Sequence, residues 1–117
     1  MNKTNTIHPY MLLEIKDFEP THDFFEFLLR NKKYIYLAIF ETFKGFTVES
    51  QMEKLRLSIK VLTDNPDPLI FHFDLSLNDR YMLSDLLMPY FIDESEFEIC
   101  EKITKTIQLL DGLKLTQ

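Results

Sequence analysis

The chain is poor in the residues that staple, punctuate or cross a membrane. Among 117 residues there is one cysteine, Cys100, so no internal disulfide can form, a usage that fits a reducing compartment. The two glycines stand 67 positions apart, which excludes a glycine-rich phosphate loop. Gly-x-Ser-x-Gly, the turn that exposes a nucleophilic serine, is also missing. Two glycines and five prolines leave little room for flexible linkers, and the length suits a single domain, 1–117. The longest apolar run is seven residues, Tyr34–Phe40, whereas a membrane span needs about 20. No cationic start precedes an apolar core near Met1, so no secretory leader is expected and the address reads as cytoplasmic. Excess positive charge is lacking as well. The net charge of −6 disfavours non-specific binding to nucleic acid.

What is present is apolar, aromatic and unevenly charged. Apolar residues make up 45%, and eleven Phe and five Tyr supply the bulk of a core without any Trp. Residues 1–62 hold nine Lys/Arg and eight Asp/Glu, whereas residues 63–117 hold four and eleven. Within 28–62 there are seven basic and three acidic residues, a local +4 on an acidic chain. A basic face on an acidic body can bind selectively where the whole surface would not.

Tyr34–Phe43, YIYLAIFETF, is the stretch around which the chain is organised. Its aromatic and β-branched density predicts a strand buried on both faces, with a buried helix as the competitor. A hairpin at Lys44-Gly45 and a return strand at Phe46–Glu49 would follow. Upstream, Met1–Ile7 reads as a frayed end and Tyr10–Phe18 as a short edge strand closed by Pro20. Thr21 then predicts the N-cap of a helix from about His22 to Asn31, with Asp23 and Glu26 first and Arg30 last, followed by Lys32 and Lys33.

Leu55–Leu62 and Leu69–Leu75 both alternate with a period of two, and TDNPDP between them is turn chemistry. Together they predict an antiparallel hairpin. Both apolar sets carry odd numbers, so partners must sum to an even total. That places Lys60 opposite or diagonal to His72, and Arg56 or Ser58 near Asp74. Ser76-x-x-Asp79 predicts a helix start, with a stripe at Met82, Leu83, Leu86, Leu87 and Tyr90 and an end near Met88 imposed by Pro89. Asp93-x-x-Glu96 reads as a second capping box, leading a stripe of Ile99, Cys100, Ile103, Ile107 and Leu110. Asp111-Gly112 reads as its stop and Leu113–Gln117 as an extended tail. The expected class is α+β, a small mixed or antiparallel sheet with about three packed helices.

Residue clusters that could carry chemistry are few. His8, His22 and His72 lie 14 and 50 positions apart, at no ligand spacing, and Asp64, Asp67 and Asp74 lack the Gly and terminal Glu of a calcium loop. No metal, cofactor, small-molecule substrate or enzymatic activity is expected. Cys100 on an apolar stripe reads as a buried, unreactive thiol. The run Asp93, Glu94, Glu96, Glu98, Glu101 reads as a solvated helix start or as a surface for a basic partner. The candidate binding set is Arg30, Lys32, Lys33, Lys44, Lys54, Arg56 and Lys60. Arg56 and Lys60, with His72 beside them on the outer hairpin face and Arg30, Lys32 and Lys33 extending it, would engage the phosphates of single-stranded or looped RNA. His72 or a nearby Tyr would stack on an unpaired base. The alternatives are a merely solvated sheet face, or a protein–protein adaptor or inhibitor acting through an acidic or apolar surface.

The segments YIYLAIFETFKGF at 34–46 and PDPLIFHFDLSLNDRYML at 66–83, with the length, resemble the PrgU family. These are small cytoplasmic proteins of pheromone-responsive conjugative plasmids in Gram-positive cocci. The resemblance covers essentially the whole chain and rests on overall similarity, so it assigns no role to any single residue. It implies a PUA-like pseudobarrel with packed helices. It also implies a non-enzymatic regulator, acting on RNA, that limits production of a plasmid-encoded surface adhesin or a conjugation function.

Overall fold

The computed structural model describes residues 7–17, 24–49 and 51–116. Of the expected frayed start Met1–Ile7 only Ile7 is described, and it opens β1, three residues ahead of the expected strand start at Tyr10; the strand end at Phe18, and Pro20, Thr21, His22 and Asp23 lie outside the described residues. The elements run β1 (Ile7–Lys16), α1 (Phe24–Arg30), α2 (Lys32–Gly45), β2 (Lys54–Leu62) and β3 (Leu69–Ser76). A 3-10 turn (Leu77–Arg80), a π-helical turn (Leu83–Leu87), α3 (Met88–Asp93) and α4 (Phe97–Thr116) follow. The class is α+β, with an open three-stranded sheet in the order β1-β2-β3.

The β2–β3 hairpin forms in a register of the parity its alternation requires, with Arg56 opposite Asp74, Ser58 opposite His72 and Lys60 opposite Ile70. Lys60 is therefore diagonal to His72. The connecting turn is held by its own side chains. Thr63 Oγ1 accepts from the amide of Asn65 (3.1 Å), and Asn65 Oδ1 accepts from the amide of Asp67 (3.2 Å). β1 pairs with β2 in parallel, so the sheet is mixed rather than purely antiparallel. A parallel pair needs a long crossover, and α1 and α2 supply it.

That crossover corrects the reading of the central stretch: Tyr34–Phe43 is the body of helix α2, not a strand. Its buried residues include Ile35, Ala38, Ile39, Thr42 and Phe43, a recurrence of three and four. Tyr34 and Glu41 point outward, and a strand would have put Glu41 on the same face as Ile35 and Ile39. Packing one stripe onto β1 and β2 overrides the strand propensity of the individual residues. Thr42 is tolerated inside because its hydroxyl donates to Ala38 O at 2.8 Å.

The expected hairpin at Lys44-Gly45 and the return strand Phe46–Glu49 are likewise absent. Gly45 ends α2 without a positive φ, and residues 46–48 form a turn. Glycine is needed there for space. A Cβ on Gly45 would lie 2.6 Å from the ring of Tyr10, which the β1 bulge between Pro9 and Met11 turns toward the helix.

The second half is helical. Asp79 Oδ2 accepts from the amide (2.8 Å) and hydroxyl (3.1 Å) of Ser76, the expected start. Pro89 does not end the helix near Met88. The chain widens into the π-helical turn immediately before it and resumes as α3. Proline lacks the donor for the carbonyl one turn back and crowds it, and a wider turn absorbs both defects. The real break falls at Ser95, whose φ of 57° is the one positive value among non-glycine described residues. Asp93 therefore closes α3 rather than capping α4. Asp111-Gly112 does not stop α4, and the expected extended tail is helical through Thr116. Gly112 is exposed with nothing near it, so no contact forces the chain to turn.

Leu55, Leu57, Ile59 and Val61 from β2 meet Phe43, Phe46, Leu83, Leu87, Phe91, Ile103 and Leu110 in one core. The molecule measures 47 × 39 × 18 Å, the depth of about one sheet and one helix layer. The even-numbered face of the sheet stays open. Even on the central strand, Lys54, Arg56, Ser58, Lys60 and Leu62 all remain partly exposed.

Candidate nucleic-acid interface

The open face is set by the pleat of three strands. Period two on β2 turns Lys54, Arg56, Ser58 and Lys60 outward once Leu55–Val61 are committed to the core. The antiparallel register adds Ile70, His72 and Asp74 from β3, and the parallel register adds Leu12, Glu14 and Lys16 from β1. The formal charge of this face is +2, from Lys16, Lys54, Arg56 and Lys60 against Glu14 and Asp74.

Its cations are not equivalent. Arg56 grips Asp74 along one edge of its guanidinium, Nε to Oδ1 at 2.7 Å and Nη2 to Oδ2 at 3.0 Å. The hydrogen bonds from Arg56 hold the Asp74 carboxyl below the usual carboxylate range, and the Arg56 pKa is raised in turn. Ser58 Oγ and His72 Nδ1 share a hydrogen bond of 2.8 Å, which fixes the imidazole ring against β2. Lys16, Lys54 and Lys60 have no ion-pair partner among the described residues.

Of the six residues predicted to share a surface, only Arg56, Lys60 and His72 do. Arg30, Lys32 and Lys33 belong to the helix layer on the opposite side of the sheet. Phe27 of α1 stacks on the inward-facing Phe71, with centroids 6.3 Å apart, and fixes that side. Arg30 Nη2 binds the buried Asp17 carboxylate at 2.8 Å, where Asn31 Nδ2 also donates at 3.2 Å. Lys33 Nζ reaches Glu96 at 2.9 Å, and that contact raises its pKa. Lys32 Nζ sits 5.5 Å from the Tyr36 ring centre and 5.3 Å from that of Tyr90, two rings packed edge to face. Burial, followed by the charge of Glu94, pushes the Tyr90 phenol up. Lys32 and Lys33 thereby join α2 to the α3–α4 junction, while Arg30 ties α1 to the end of β1. Lys44 lies over the Phe40 ring at 5.4 Å and contacts Glu41 at 3.4 Å.

Sequence reasoning missed Lys16. Only the parallel register brings it to the same face, diagonal to Lys60, and no local pattern announces that register. Cys100 is half-buried rather than fully buried, since the deepest line of α4 runs through Ile103, Thr106 and Leu110. Among the described residues, no three His, Cys, Asp or Glu side chains converge as metal ligands, and no helix is long and apolar enough to cross a membrane. No protein-family model, curated protein or solved structure matches the chain.

Proposed function

We propose that this protein is a non-enzymatic regulator that binds single-stranded or looped RNA across the open face of its sheet. The observation that carries the reading is the set Lys16, Lys54 and Lys60, three lysines without ion-pair partners among the described residues, on the open face of the described sheet in a chain whose net charge is −6. Lys54 and Lys60 are six residues apart on one strand, a reach of about 20 Å along which a phosphate backbone could track. His72, held by Ser58, offers a ring for an unpaired base, and exposed Leu12 and Ile70 offer apolar contact beside it. Arg56 contributes less than its charge suggests, because Asp74 offsets that charge and takes two of its five donors.

The resemblance to the PrgU family supports the same reading and supplies its biological sense: limiting expression of a plasmid-encoded surface adhesin or a conjugation function, from the cytoplasm. A closed PUA-like pseudobarrel belongs to this proposal as well. It rests on the resemblance, because both edges of the described sheet are open.

The test is RNA affinity as a function of salt for the parent and for Lys16→Gln, Lys54→Gln and Lys60→Gln singly and together. Each lost phosphate contact should flatten the slope of log K against log salt by about 0.7. Lys32→Gln and Lys33→Gln, on the far layer, should leave that slope alone. A parent with no affinity above a neutral control at low salt removes the RNA reading. The same face, with Leu12 62% and Ile70 54% exposed, then becomes the surface of a protein adaptor.

A further inference from the structure

The two edges of the sheet are built differently. The β1 edge carries the usual guards against pairing: Pro9, which has no amide donor, a bulge at the next residue, and the charges of Glu14 and Lys16. The β3 edge carries none of them. Its eight residues, LIFHFDLS, include no proline, no lysine or arginine and no register shift. Its one acid, Asp74, is held by Arg56 of the neighbouring strand. Leu69 and Ile70 are more than half exposed, and among the described residues no strand pairs with the outer edge of β3. A long, regular, apolar edge of this kind is a template for another strand.

We propose that the occupant is β3 of a second copy of this chain, paired antiparallel about a two-fold axis at Phe73, so that two sheets become one of six strands. Self-pairing about a two-fold sets residue i opposite its own symmetry mate, so partner numbers sum to an even total and the core faces always match. For an eight-residue strand, axes at His72 or Phe73 give the longest overlap. Charge decides between them. An axis at His72 sets the two imidazoles against each other and Asp74 against Ile70. An axis at Phe73 sets His72 opposite Asp74 of the second copy at two symmetric places, Phe71 opposite Leu75, and the two Phe73 rings together. Asp74 can serve both partners, since a carboxylate has two oxygens and about four acceptor sites. This pairing also makes the two open faces continuous, although it does not depend on RNA.

The experiment is sedimentation equilibrium of the full chain without RNA, for the parent, His72→Asp, Asp74→Lys, and an equimolar mixture of the two variants. The parent should be a dimer. His72→Asp sets two carboxylates opposite each other at both places and should weaken the dimer about tenfold or more. Asp74→Lys removes the carboxylate that would accept from His72 of the second copy and should weaken the dimer in the same direction. The mixture should dimerise more tightly than either variant alone. A mixed pair sets the introduced carboxylate of one variant against the introduced ammonium of the other at one place, and keeps His72 against Asp74 at the second. A variant that merely failed to fold could not be rescued by mixing. A monomeric parent at the highest soluble concentration, or a mixture no more dimeric than its components, overturns the proposal.

Discussion

Tyr10 lies flat against Gly45, with its ring carbons 2.6–2.9 Å from where a β-carbon on that glycine would stand. One residue sits in the bulge of the edge strand and the other in the last position of the crossover helix. The contact therefore locks α2 to the strand it follows. Gly45→Ala should destabilise the parent, because the partly exposed ring must swing away. In a Tyr10→Ala background the same change should stabilise by up to about 1 kcal/mol, the ordinary helix preference for alanine over glycine. Urea denaturation of the four proteins in the cycle measures the reversal.

Asp17 is the main buried charge at the start of the crossover. It accepts from Arg30 at 2.8 Å and from Asn31 at 3.2 Å, and its amide donates to Leu62 O at 2.9 Å. Asn31 also marks the kink between α1 and α2, where its side chain donates to Phe27 O at 3.1 Å. Asp17→Ala should cost about 2–4 kcal/mol, since it leaves a guanidinium and an amide short of their acceptor. Asp17→Asn should cost less, because an acceptor oxygen remains. Thermal or chemical unfolding gives both numbers.

Acid stability should show the Arg56–Asp74 pair. The folded-state pKa of Asp74 lies below its unfolded value, first because Arg56 donates hydrogen bonds to the carboxylate. The unfolded chain thus binds more protons between the two values. The contribution is fully present above about pH 4 and is lost as pH falls through the depressed value. Asp74→Asn should be less stable than the parent at neutral pH and converge with it in acid. Because the pair is partly solvated, the difference should shrink as salt is added. Denaturation midpoints from neutral pH into acid, at two salt concentrations, test this.

Ser95 holds a φ of 57° at the break between α3 and α4. An L-residue in the left-handed region is penalised by its Cβ, and glycine is not. Ser95→Gly should stabilise by about 0.5–1 kcal/mol, and Ser95→Val should destabilise by more than that. A Ser95→Gly variant no more stable than the parent would show that the turn is held by something other than backbone geometry.

Sequence alone determined the features that depend on neighbours along the chain. Alternation at Leu55–Val61 and Leu69–Leu75, with six turn-forming residues between, is sufficient to pair β2 with β3 and to bring Arg56 or Ser58 near Asp74; the structure selects Arg56. Ser76 and Asp79 carry their own capping geometry within four residues. Tertiary structure decided everything in which one segment has to choose among distant partners. YIYLAIFETF has the composition of a strand, yet becomes a helix because β1 and β2 lie parallel and need a crossover that buries one stripe against them. The same parallel register sets Lys16 opposite Leu62 and so diagonal to Lys60, 44 positions away, and the crossover carries Arg30, Lys32 and Lys33 to the other side of the sheet. Local patterns report which face of an element is apolar. They do not report which element that face will meet, because that contact is specified by residues far along the chain.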